Sequence, residues 1–114
     1  MPELLPQRTY KDGIEVQYGI PGGVRPDFVS PDGLTSVEVK NYDIANNAAG
    51  LVRNVADQGF IRARELPPGM TQTVQIDITG QDVSDATRSA IQQAIETRSL
   101  GTIKSNNIDF FVRK

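Results

Sequence analysis

Residues 25–40, Arg25-Pro26-Asp27-Phe28-Val29-Ser30-Pro31-Asp32-Gly33-Leu34-Thr35-Ser36-Val37-Glu38-Val39-Lys40, read as two strands folded back on each other. The first strand runs over 25–30 and the second over 34–41. Between them, Ser30-Pro31-Asp32-Gly33 is a turn, because proline pre-sets φ and glycine accepts a positive one. Alternate side chains of a strand share a face. Glu38 and Lys40 therefore point one way, while Val37 and Val39 point into the core on the other side. Pairing Ser30 with Gly33 would set Asp27 opposite Ser36 and diagonal to Glu38, within reach of a shared ligand. A bulge at Gly33 would shift that register.

Upstream, Ile14 to Tyr18 alternates apolar with polar, the period of a half-buried strand, and residues 19–23 form a turn. Residues 1–12 carry two prolines and little periodicity, so they read as a lead-in or a short helix. Downstream, Asn46 to Leu66 is a helix with Ala48, Leu51, Val52, Val55, Ala56 and Gly59 on one face, stopped by Pro67-Pro68-Gly69. Gln72 to Thr79 alternates, with Val74, Ile76 and Ile78 on the apolar side. Ser84 is placed to cap a helix running to about Ser99, whose apolar stripe is Ala86, Ala90, Ile91, Ala94 and Ile95; Gly101 sits at its C-terminal cap. Residues 108–113 close the chain as a strand. The order is β-β-β-α-β-α-β, an α/β domain over residues 1–114 with a mixed sheet and a helix on each side.

The composition limits the chemistry. A chain of 114 residues fits one domain with one modest core. With no cysteine and no histidine, disulfides, Cys/His zinc sites, thiol nucleophiles and imidazole catalysis are excluded. Any catalysis falls to carboxylates, Lys, Arg, hydroxyls or a hard cation. No signal peptide opens the chain, and no apolar run approaches the ~18–20 residues of a membrane helix. A net charge of −2 argues against indiscriminate binding to polyanions through bulk charge, although the basic residues could still cluster on one face.

Two carboxylates and a lysine side by side suit one task. Asp27 and Glu38 can hold a divalent cation through oxygen ligands, and Lys40 can orient or deprotonate a water or stabilise a crowded phosphate. Glu38-Val39-Lys40 alone also fits an exposed ion pair worth under ~1 kcal/mol. The preceding Pro26-Asp27, the hairpin and the following helix favour the catalytic reading.

Pro26-Asp27, ten intervening residues and then Glu38-Val39-Lys40 resemble the PD-(D/E)XK nuclease superfamily. The wider run VRPDFVSPDGLTSVEVKNYDI, with VQIDITGQDVS after a helix, looks like the C-terminal nuclease domains of contact-dependent growth inhibition and related polymorphic toxins. The likeness covers roughly residues 14 to 112. It implies a restriction-endonuclease-like sheet flanked by helices, with a divalent metal at Asp27 and Glu38: Mg²⁺ first, Mn²⁺ or Zn²⁺ as alternatives. It implies Lys40 as the catalytic lysine, and DNA or transfer RNA as substrate. It also implies secretion within a larger toxin, action in the target-cell cytoplasm, and a cognate immunity protein. Many members carry a further acidic residue upstream; Glu15 is the first candidate and Glu3 the second, with a solvated strand face the other reading of Glu15.

Gln58 and Arg62 stand one helical turn apart and either face the site or are solvated. Arg53, Arg62 and Arg64 can contact phosphates, or pair with Asp57 and Glu65. Asp77 and Gln81 flank a strand, where turn chemistry is the commoner role of such an Asp. Tyr10, Tyr18, Tyr42, Phe110 and Phe111 do not interleave with basic residues, so no stacking platform is expected. Two other functions compete: a binding module of the same fold, as an immunity or regulatory protein, and a phosphodiesterase for small nucleotides. The second lacks a Gly-rich phosphate loop.

Overall fold

The computed structural model describes residues 5–6, 8–17 and 21–113. Glu3 and Tyr18 lie outside them. The chain forms an α/β fold with a mixed sheet and two helices. In chain order the elements are β1 (Leu5–Pro6), β2 (Thr9–Lys11), β3 (Ile14–Val16), β4 (Phe28–Val29), β5 (Thr35–Asn41), α1 (Ile44–Glu65), β6 (Thr71–Asp77), α2 (Asp85–Arg98) and β7 (Ile108–Phe111). A 3-10 turn at Ser105–Asn107 leads into β7.

Among the described residues five strands thus precede the first helix, where the sequence pattern predicts three. Leu5–Pro6 pairs with β4, and β2 pairs with β3 in a hairpin. That hairpin turns on Asp12 and Gly13, both at positive φ (52° and 81°). Asp-Gly is the pair that a two-residue type I′ turn favours.

The main sheet runs β1-β4-β5-β6-β7, antiparallel from β1 to β5 and parallel from β5 to β7. Both crossovers, β5-α1-β6 and β6-α2-β7, step in the same direction across the sheet. Right-handed crossovers that step the same way put their helices on the same face. One core therefore joins Leu51, Val55 and Ala56 of α1 and Ile91 and Ile95 of α2 to Val74, Ile76 and Ile78, with Ile103 and Ile108. This corrects the expectation of a helix on each side.

The alternation of Val74, Ile76 and Ile78 is as expected, each at most 2% exposed. In α2 only Ile91 and Ile95 are buried; Ala86, Ala90 and Ala94 are exposed and line a groove against α1.

Two further corrections bear on the site. In the β4–β5 hairpin Val29 faces Ser36, not Leu34 as a Ser30–Gly33 pairing requires. The Ser30 hydroxyl donates to Asp32 Oδ1 (2.6 Å), which also accepts from the Leu34 N–H (3.0 Å). The Ser30 hydroxyl accepts in turn from Thr35 N–H (3.1 Å). These bonds hold a wider loop over residues 31–34, which brings Asp27 level with Glu38.

The second correction concerns the face. Glu38 is in register with Val74 and Lys40 with Ile76, so both acidic and basic side chains lie on the helix side of the sheet. Val39, on the opposite side, is 37% exposed.

Candidate functional site

β4 and β5 bring Asp27 and Glu38 together through their backbone as well as their side chains. The Asp27 N–H donates to Glu38 Oε1 (3.1 Å), and Asp27 Oδ2 accepts from the Val39 N–H (2.8 Å). Each carboxylate is therefore fixed by the other's strand. Asp27 is exposed, while Glu38 is buried. Lys40, two residues along the same face, places its Nζ 3.9 Å from Glu38 Oε2.

Arg62 completes the cluster from α1. It is 8% exposed, donates to Glu38 Oε1 through one guanidinium nitrogen and to the Arg25 carbonyl through another (3.2 Å). Burial pulls its guanidinium down to about 10, while Asp27 nearby pulls the other way. Of the two roles open to Gln58 and Arg62, solvation fails for Arg62. Its partner is neither Asp57 nor Glu65 but Glu38.

Asp57 instead pairs with Arg98 of α2 (3.0 Å), and Glu65 accepts from the Asp12 N–H (2.7 Å).

A cleft of about 630 Å³ opens beside this cluster. Lys40 and Tyr42 come into it from β5 and the residues after it, Gln58 and Arg62 from α1, and Arg25 from the loop before β4. Gln58 and Arg62 thus share a cavity with Lys40. Arg53 does not: it lines the groove between α1 and α2 with Ala48, Ala90 and Arg98.

Glu15 sits on the separate β2–β3 hairpin, opposite Tyr10, and forms an ion pair with Arg8 (3.0 Å). Among the described residues no three acidic side chains converge on one point.

Asp77 follows turn chemistry. Its Oδ1 accepts from the Thr79 N–H (2.9 Å) and hydroxyl (2.6 Å), and its Oδ2 pairs with Arg113 (2.8 Å). The Thr79 bonds hold its carboxyl below the usual range, and the Arg113 charge adds to this. Gln81 serves the backbone, accepting from the Ile44 N–H (2.8 Å) and donating to the Tyr42 carbonyl (2.7 Å).

Asp27 and Glu38 offer hard oxygen donors of the kind Mg²⁺ takes, one or two carboxylates with water completing the shell. The donor chemistry fits such an ion, and fits zinc less well without nitrogen or sulfur ligands. In comparisons with known proteins, no family model, no curated protein and no solved structure matches this chain.

Proposed function

We propose that this chain is a divalent-metal-dependent nuclease with a restriction-endonuclease-like core, cleaving phosphodiester bonds of DNA or transfer RNA. The observation that carries the reading is the placement of Asp27, Glu38 and Lys40 at one end of the β4–β5 hairpin, beside a cleft that Arg25 and Arg62 also line. A bound ion at Asp27 and Glu38 would supply an activated water and charge neutralisation. Lys40, half-buried and lining the cleft with its ammonium near Glu38, orients the water or a phosphate oxygen by donating a hydrogen bond. Arg25 and Arg62 set positive charge along the cleft where a phosphate would lie. The biological setting that goes with this reading is a toxin domain delivered into a neighbouring bacterial cell and restrained by an immunity protein in the producer.

Purified protein with Mg²⁺ should nick plasmid DNA or yield discrete transfer-RNA fragments from total RNA. Lys40→Ala should lower that rate by about 100-fold or more, with the fold intact by circular dichroism. Asp27→Asn should do the same. Glu38→Ala is a poorer probe, because it strands Arg62 inside the protein. Cleavage that persists in EDTA would sink the proposal.

The non-catalytic binding module remains the second reading, favoured by one observation: Glu38 is already engaged by a cation of its own chain. A protein that binds neither Mg²⁺ nor Mn²⁺ by calorimetry would fit that reading.

A further inference from the structure

We propose that Arg62 is a built-in counter-ion, holding Glu38 while the divalent ion is absent and moving to a substrate phosphate when the ion arrives. The inference rests on the nuclease reading and deepens it. Glu38 Oε1 already accepts from Arg62 and from the Asp27 N–H, and Lys40 stands 3.9 Å from Oε2. The two carboxylates are thus balanced by two cations, and a third positive charge has no uncompensated anion to meet. Arg62 and the Asp27 N–H both hold Oε1, so the whole carboxylate, with its full charge, serves a metal only once Arg62 lets go.

Arg62 cannot simply be expelled. It is buried, and a guanidinium without a partner there would be costly. The cleft supplies the second position. Arg62 borders it together with Lys40 and Gln58, so a modest side-chain rotation would reach a phosphate lying there. Its planar fork, which gives one nitrogen to Glu38 and another to the Arg25 carbonyl, also suits two phosphate oxygens. Metal and phosphate then favour the same rearranged state, so each tightens the other by linkage. Nothing in this requires a change in the protonation of either partner.

The test is Mn²⁺ titration calorimetry on the wild-type chain, Arg62→Met and Arg62→Lys, with Asp27→Asn/Arg62→Met as the site control. Releasing Glu38 should let Arg62→Met bind Mn²⁺ about 10-fold more tightly than wild type, with Arg62→Lys between them and the control losing the gain. Thermal unfolding gives a readout independent of activity. Arg62→Met should melt lower than wild type in EDTA and recover more than wild type when Mn²⁺ is added. Should Arg62→Met fail to fold in either condition, Arg62→Lys carries the comparison. A folded variant that binds Mn²⁺ no more tightly than wild type would overturn the counter-ion role while leaving the nuclease reading standing. Absence of Mn²⁺ binding in every variant would overturn both.

Discussion

Leu100 carries a φ of 55° at the point where the chain leaves α2. Its N–H donates to the Thr97 carbonyl (3.1 Å) and the next N–H, of Gly101, to the Glu96 carbonyl (2.9 Å), the bonding pattern of a Schellman cap. That pattern wants a left-handed residue one place after Ser99, and glycine is its usual occupant. The sequence shows a glycine one place too late for this role, so Gly101 alone points to the cap and misassigns the strained position. A left-handed non-glycine residue costs about 1–2 kcal/mol, and the 75% exposed Leu100 side chain packs too little to offset it. Glycine adds roughly 0.4–1 kcal/mol of unfolded-chain entropy against the change. Leu100→Gly should therefore still raise stability, by about 0.5 kcal/mol, seen as a higher urea midpoint at unchanged slope. A lower midpoint would mean the side chain contributes more than its exposure implies. The same scale shows why the site was only half legible. Asp27, Glu38 and Lys40 lie within one hairpin, and strand periodicity alone puts Glu38 and Lys40 on one face. Arg62 meets Glu38 across 24 residues of chain, a contact that exists only once the crossover has folded α1 over the sheet.

At the scale of elements, α1 depends on a residue it does not contain. Asp43, its N-cap, makes no capping bond with its side chain and instead accepts from the Asn46 amide (2.7 Å). Gln81, in the connection from β6 to α2, takes over by accepting from the Ile44 N–H and donating to the Tyr42 carbonyl. The first turn needs this support because the helix is broken at Asn47, whose φ and ψ (−142°, 28°) are not helical. The break also explains why apolar spacing starts the helix near Asn46, although its first turn begins at Ile44. Gln81→Ala should cost about 1 kcal/mol, the usual loss of a cap, while Asp43→Ala should cost less. Hydrogen exchange would then speed up in the Ile44 turn ahead of the rest of α1. Equal losses from both variants would mean that the Asp43 side chain, not Gln81, secures the turn. Long periodic elements such as α1, β6 and α2 were legible because burial on one face repeats along the chain. The β2–β3 hairpin was half legible: alternation marks β3 within Ile14 to Tyr18, while β2 is three residues inside the proline-bearing lead-in, too short for periodicity to register. Asp12-Gly13 marks the turn between them.

For the molecule as a whole, the question is how a chain of net charge −2 would hold a polyanion. Much of its positive charge is already spent on its own carboxylates: Arg8 on Glu15, Arg62 on Glu38, Arg98 on Asp57 and Arg113 on Asp77. Arg88 lies over the Phe110 ring, 5.9 Å from its centre. Among the described residues Arg25, Lys40 and Arg62 line one cleft, with Lys40 and Arg62 beside Glu38. Recognition should therefore be local, with shape and hydrogen bonding around the cleft contributing more than long-range attraction. Nucleic-acid affinity depends on salt with a slope of about 0.7–0.9 per phosphate neutralised. Three cations predict a slope of magnitude at most about 2–3 for the Asp27→Asn variant, where Arg62 can stay on Glu38, measured by fluorescence anisotropy between about 50 and 200 mM salt. A slope of about 6 or more would demand a second basic face, and Arg53 and Arg64 on α1 would be the first residues to replace in search of it. A slope near 2–3 that falls by about 1 in Arg25→Ala would place the phosphate track along the Lys40 cleft.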